Sequence, residues 1–325
     1  MTELILGTRG SDLALTQTEM TKAALVGAWP ELRVRHEVIK TSGDLRPDLN
    51  LAEFSKGDQP VVDKGIFTKE LEQALKAGTI HAAVHSLKDV PTLLDDGFRI
   101  AAVLPRAPVE DVLISKIPGG LDALPAGSVV ATSSVRRARQ LKWLRPDLTV
   151  ADIRGNVATR IRKVADDASV SALLLARAGL VRLGLFHDVL TEFALPLHLT
   201  ILDAAQFLPA ASQGAVAIET FLESEELIRI FAAINHAPTF QMITAERRFL
   251  ELLQAGCQTP VGVHTAMENG LLHMKALVFP DSAGEPIHSE ATGTDPLRVA
   301  AALFHSLTPP QPGPCHGAAR FQPPS

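Results

Sequence analysis

The stretch Val129-Val130-Ala131-Thr132-Ser133-Ser134-Val135-Arg136-Arg137-Ala138-Arg139-Gln140-Leu141-Lys142-Trp143-Leu144 decides the fold. Its first three residues form a short apolar strand. Ser133 or Ser134 then offers a hydroxyl oxygen to the first free N–H groups of a helix. Val135, Ala138, Leu141 and Leu144 recur every three residues and give that helix an apolar side. A short buried strand, a cap and a helix make the repeating unit of α/β proteins.

The same rhythm extends both ways. Leu4 to Leu6 predicts a strand, with a helix from about Ser11 to Val26. Leu32, Val34, His36 and Val38 alternate with charged residues as a second strand, and a helix over about 68–77 ends at Gly78. Ala82 to Val84 is a short buried strand closed by Pro91. Strands are expected over 149–153 and 172–175, with a helix over 156–164 between them. Beyond about Asn235 a helix over 244–253, strands over 271–279 and a helix over 297–307 describe a smaller α+β domain. Residues 309–325, rich in Pro, are expected to be disordered. Ser42 to Asp63 lacks a period and carries Gly43, Pro47, Gly57 and Pro60, so it reads as a loop, either a lid or an insertion.

At 325 residues, 46% of them apolar, the chain can fill two or three cores. A formal net charge of -5 argues against nucleic acid or an anionic membrane as partner. No stretch approaches a membrane span, and the N-terminus does not read as a signal peptide, so a cytoplasmic protein is expected. Two cysteines, Cys257 and Cys315, build no disulfide framework.

The basic residues gather where strands end. Arg9 and Lys88 follow strands, Lys64 ends the loop, Arg136 and Arg137 occupy a first helical turn, and Arg154 and Arg160 follow the next strand. Ligands of open α/β sheets bind beyond the carboxyl ends of the strands. Helix N-termini there attract anions, and arginine forks suit carboxylates. Cations in a first turn oppose the helix dipole, which an anion between them and the helix end would relieve. The pattern predicts a cleft for a ligand with several negative charges, with one carboxylate, Asp89, inside it. His85, beside Lys88 and Asp89, reads either as a catalytic residue or, more commonly for such a histidine, as a core or hydrogen-bonded one. Phosphate-loop, dinucleotide and zinc motifs are absent, and no metal site is expected.

Several segments together resemble porphobilinogen deaminases. They include Gly7-Thr8-Arg9-Gly10-Ser11, Lys64-Gly65-Ile66-Phe67-Thr68, His85-Ser86-Leu87-Lys88-Asp89-Val90-Pro91, Thr132-Ser133-Ser134-Val135-Arg136-Arg137, Ile153-Arg154-Gly155-Asn156, Gln213-Gly214-Ala215-Val216 and Gly256-Cys257-Gln258-Thr259-Pro260. The resemblance runs in order from about residue 4 to 307. It implies two domains like the halves of a periplasmic binding protein, crossed twice by the chain, plus a small α+β domain. Carried over, these are 1–104 with 214–234, 105–213, and 235–308.

The implied activity is a transferase of heme biosynthesis. It deaminates porphobilinogen and joins four units head to tail on a dipyrromethane cofactor, held by a thioether to Cys257, then releases hydroxymethylbilane. The resemblance makes Asp89 the catalytic carboxylate. It makes Arg9, Ser11, Lys64, Lys88, Ser133, Ser134, Arg136, Arg137, Arg154, Arg160 and Arg182 the groups that hold cofactor or substrate carboxylates, with Thr132 and Gln213 lining the site. A monomer is implied. Departures from the family pattern include Asp12 after the serine, Val181 beside Arg182, and a longer stretch over 185–207. The rival readings are a non-enzymatic polyanion binder of the periplasmic type, which has no need of Cys257, and a nucleic-acid binder, which the net charge and few aromatics oppose.

Overall fold

A computed structural model describes residues 2–45, 67–222, 224–255, 259–280 and 284–307. The chain starts with β1 (Glu3–Thr8), α1 (Asp12–Ala28), β2 (Arg33–Val38), a short α2 (Ser42–Leu45), α3 (Lys69–Lys76), β3 (Ala82–Ser86) and β4 (Phe98–Val103). It then crosses to β5 (Asp111–Ser115), β6 (Val129–Ala131), α4 (Val135–Leu144), β7 (Thr149–Ala151), α5 (Val157–Asp166), β8 (Ala172–Ala176), α6 (Arg177–Arg182), β9 (Val189–Leu190) and β10 (Leu197–Ile201). A second crossing returns it to β11 (Val216–Phe221) and α7 (Glu225–Ala232). The rest is α8 (Ala237–Leu252), β12 (Val261–Glu268), β13 (Leu271–Val278), β14 (Ile287–Gly293) and α9 (Pro296–Leu307).

Local chemistry sets the helix starts. Ser11 caps α1 by accepting from Ala14 N at 3.3 Å, Ser134 caps α4 from Arg137 N at 3.4 Å, and Asn156 caps α5 from Thr159 N at 2.8 Å. Each such cap contributes about 1 kcal/mol. Two readings need correction. The segment read as a loop from Ser42 begins with the helical turn of α2, and its remainder to Asp63 lies outside the described residues. The helix expected from 244 starts at Ala237, with Pro238 in its first turn and His236 as its cap.

Three sheets carry the three cores. The first has the order β2-β1-β3-β11-β4, the second β7-β6-β8-β5-β10-β9, and the third is the meander β12-β13-β14. In the second sheet alternate residues serve opposite layers, as the two-residue strand period requires. Leu113 and Leu174 pack with Leu141 of α4, whereas Ile114 and Leu173 pack with Ile161 and Val164 of α5. In the first sheet Leu4, Leu6, Val84 and Ile218 bury against Leu25 of α1 and Phe231 of α7. The meander packs on Phe249 of α8 and Leu303 of α9.

The architecture is therefore the expected pair of α/β units with a double crossover, plus a small α+β unit. The two crossing segments, 104–110 and 202–215, run side by side. Leu104 N donates to Val216 O and Ala107 N to Gly214 O, both at 3.1 Å. Gly214 has φ +85°, and a Cβ there would lie 2.4 Å from the Ala107 carbonyl oxygen, so only glycine permits the approach.

Candidate active site

Between the first two sheets lies a cleft of about 690 Å³. It is built where α/β sheets place ligands, at the carboxyl ends of strands. Arg9 and Ser11 come from the end of β1, Ser86, Lys88 and Asp89 from the end of β3, and Ala176 from the end of β8. The N-terminal segment of α5 adds Arg154, Gly155, Asn156 and Arg160, α6 adds Arg182, and the second crossing adds Ser212 and Gly214. Among the described residues seven cationic side chains line it (Arg9, Lys40, Lys88, Arg137, Arg154, Arg160 and Arg182) against two carboxylates, Asp12 and Asp89. Such an excess in a concave site favours a polyanion.

Asp89 ends a 3-10 turn, Leu87–Asp89, that is tied down from both sides. Leu87 and Val90 are buried, and Leu87 N donates to Ala215 O at 3.1 Å. From α8, Arg247 Nη2 donates to the carbonyls of Pro91 at 2.6 Å and Thr92 at 2.9 Å. The Asp89 side chain itself is exposed. Lys88 Nζ donates to Gln213 Oε1 at 3.3 Å. Burial, and next the Arg137 cation, pull its ammonium down to about 8, while Asp89 and Asp111 pull the other way.

Behind the cleft wall sits a carboxylate that sequence reasoning missed. Asp111, at the head of β5, is fully buried. It accepts from Arg136 Nη1 at 2.7 Å, Arg137 Nη2 at 2.7 Å and Nε at 3.1 Å, and Gln213 Nε2 at 2.9 Å. Burial pushes its carboxyl up, but the two guanidinium groups overcome that and hold it well below the usual carboxylate range. The signal was present in Glu110-Asp111-Val112-Leu113-Ile114: a carboxylate heading an apolar strand demands a buried cation. A second missed pair, Arg106 and Glu246, clamps the crossing to α8 through bonds of 2.7 and 3.0 Å.

The expected site residues thus divide. Arg9, Ser11, Lys88, Asp89, Arg137, Arg154, Arg160 and Arg182 line the cleft together. Arg9 stacks over the Phe67 ring at 4.1 Å, and Arg154 Nε lies 3.2 Å from Asp152 Oδ2. Arg160 Nε donates to Gly155 O and Arg182 Nη2 to Gly214 O, each at 2.7 Å. Burial lowers both of these guanidinium groups, Arg182 to about 10 with no carboxylate opposing the shift.

Thr132, Ser133, Ser134, Arg136 and Gln213 are not on the lining and form the frame behind it. Thr132 Oγ1 accepts from Ser134 N at 3.2 Å, and Ser133 exchanges hydrogen bonds with the Ile153 backbone, which pins the approach to α5. Lys64 and Cys257 lie outside the described residues. His85 is buried, with Nε2 3.0 Å from Glu219 Oε2 on β11, and does not line the cleft, as its core reading expects. No helix among the described residues is long and apolar enough to cross a membrane.

Two family models match this chain. "Porphobilinogen deaminase, dipyromethane cofactor binding domain" matches residues 4–229, and "Porphobilinogen deaminase, C-terminal domain" matches residues 240–307. The chain is 40% identical over 299 residues to a porphobilinogen deaminase of Syntrophobacter fumaroxidans, covering 89% of this chain and 91% of the relative. It is 42% identical over 292 residues to one of Chlorobium luteolum (90% and 88%), and 42% identical over 305 residues to one of Desulforudis audaxviator (94% and 93%). Among solved structures, the methionine-binding protein MetQ covers 74% of this chain and 93% of its own at 13% identity and a TM-score of 0.42. A likeness of that size adds nothing to the topology described above.

Proposed function

Since the chain belongs to the porphobilinogen deaminase family, we propose that it deaminates porphobilinogen and condenses four units head to tail on a protein-bound dipyrromethane, releasing ammonia and hydroxymethylbilane. The observation that carries this reading is the cleft with seven cations and two carboxylates. Each pyrrole of substrate or product bears an acetate and a propionate, so a growing chain brings carboxylates in pairs. Arginine forks are the donors that bind them best.

The residues present fit the dipyrromethane cofactor that the family implies. Arg182 Nε is shut away from water without a partner, a donor awaiting an acceptor. When bound, the dipyrromethane supplies the terminal pyrrole to which substrate is joined. Arg137, Arg154 and Arg160 would hold its carboxylates, Arg9, Ser11, Lys64 and Lys88 those of the incoming substrate, and Arg182 would serve both. Cys257, beyond the end of α8, would anchor it.

Asp89 then has two tasks. Its exposed carboxylate accepts hydrogen bonds from pyrrole N–H groups. When the aminomethyl C–N bond of porphobilinogen breaks and ammonia leaves, positive charge spreads onto the pyrrole nitrogen, and the fixed carboxylate stabilises it. The 3-10 turn, held by Leu87, Val90 and Arg247, keeps that charge in place. Asp111 holds Arg137 at the cleft wall, and Thr132, Ser133, Ser134, Arg136 and Gln213 support it from behind. The same reading makes the protein a cytoplasmic monomer that binds a small-molecule substrate and neither nucleic acid nor membrane.

Intact-mass measurement with peptide mapping tests the reading. The purified protein should carry the mass of two linked porphobilinogen units on Cys257 and should convert porphobilinogen with release of ammonia. An unmodified Cys257 in an active preparation overturns the anchor. A loaded protein without turnover overturns the activity.

A further inference from the structure

Ser212 has φ +62°, in the left-handed region that side chains avoid. Of the four described non-glycine residues with positive φ, it is the one that lines the cleft. The others sit at ends and turns: Leu222 after β11, Gln254 after α8, and Asn269 in the β12–β13 hairpin. Ser212 is 2% exposed, and its hydroxyl is sealed from water without a hydrogen-bond partner. Its surroundings enforce the conformation. Ser212 N donates to Glu246 Oε2 at 2.5 Å, and Arg106 Nε donates to the next carbonyl, Gln213 O, at 2.9 Å. A strained residue held by a clamp, with an idle polar group at the wall of a ligand cleft, is a mark of function.

A second idle donor lies at the same turn. Arg182 Nη2 donates to Gly214 O, while its Nε is likewise buried and unpartnered. Among the described residues no carboxylate is paired with this guanidinium. We infer that Ser212 is a substrate-binding residue whose hydroxyl, together with the Arg182 guanidinium, forms a subsite for one carboxylate of a pyrrole acid. The inference rests on the reading of Arg182 as a carboxylate-holding group. In the subsite, side-chain rotation turns Ser212 Oγ–H and Arg182 Nε–H to the cleft and the ligand oxygens accept from them, which satisfies two donors that have no partner among the described residues.

Ser212→Ala and Ser212→Gly separate function from structure. Both delete the idle hydroxyl, and glycine also accepts φ +62° without strain. Free of ligand, both variants should melt at or above the parent temperature. With porphobilinogen, both should lose about tenfold in kcat/KM, the worth of a hydrogen bond to a charged group, with the loss in KM. Both should also show a smaller rise in Tm on adding porphobilinogen. Stability and binding moving in opposite directions supports the subsite, because a merely structural serine would lose both together.

Arg182→Gln is measured in parallel. If it loses protection by porphobilinogen while the Ser212 variants keep the parent kinetics and Tm shift, the Ser212 inference is overturned and the wider site reading stands. If neither the parent nor any variant is protected, both fall. A Ser212 variant that melts lower and binds normally also overturns the inference.

Discussion

Asp89, at the end of its 3-10 turn, is exposed on the cleft, whereas Asp111, at the head of β5, is fully buried and accepts from Arg136, Arg137 and Gln213. Both stand among the same cations, and each lies close enough to Lys88 to pull its ammonium up. What separates them is what their charge is spent on. Asp111 neutralises two guanidinium groups that could not otherwise be buried, so its charge belongs to the fold. Asp89 keeps its charge available at a surface that a ligand must cover.

The sharpest way to break this contrast is to remove each charge without changing shape. Asp111→Asn leaves two buried guanidinium groups short of a counter-charge and should cost about 3–5 kcal/mol of stability. Denaturant titration reads it, and parent-like stability would show that the Arg136–Arg137 pair does not need the carboxylate. Asp89→Asn should stay within about 0.5 kcal/mol of the parent by the same titration. It should nonetheless lose turnover of porphobilinogen by about 10²–10³-fold, because an amide cannot stabilise a forming cation. Near-parent turnover would move the catalytic role elsewhere.

A smaller effect tests the cation that both aspartates share. The Lys88 ammonium is lowered to about 8, so it is charged below that pH and loses its charge as pH rises through it. Affinity for porphobilinogen should fall by about tenfold between pH 7 and pH 9, as the charged fraction drops from most to little. Lys88→Arg should flatten that dependence. In Asp111→Asn the fall should begin at lower pH, since Asp111 is one of the two groups that raise the ammonium. Titration calorimetry across the range decides it.

The smallest expected change concerns Arg154, whose partner Asp152 is 58% exposed. Arg154→Gln should alter stability by less than about 1 kcal/mol, in contrast to any loss from the buried pair. Its effect should appear in binding of the pyrrole acid instead. A large stability loss would place Arg154 with the frame.

These contrasts also explain how much was legible in the sequence. Strand-cap-helix units announced themselves because their signals are local: Ser134 caps α4 and Asn156 caps α5 from positions the sequence displays. The cations at strand ends were readable for the same reason, and eight of the expected site residues share one cleft. Asp111 was only half legible: its place at the head of the apolar run Val112-Leu113-Ile114 marks it as buried, but its partners lie 25, 26 and 102 positions away and nothing nearby identifies them. Likewise the division of Arg136 from Arg154 depends on which guanidinium meets a buried carboxylate, a long-range fact. The early start of α8 was missed because His236 is an uncommon cap, although Pro238 in the first turn is a regular signal. β11 escaped because an antiparallel partner to both β3 and β4 arrives from 202–215, far from either in sequence.

That late arrival bears on the order of synthesis. β11 occupies the slot between β3 and β4, and it is made after every strand of the second sheet has been synthesised. At about 5–20 residues per second, the first sheet waits several seconds to tens of seconds with its central place vacant. During that interval β3 and β4 each present an unpaired edge, the kind of surface on which nascent chains mispair. Completion of the N-terminal unit is thereby tied to the fate of the one inserted within it. A lesion that slows the folding of β5 to β10 would be felt first as aggregation of a sheet to which none of those strands belongs.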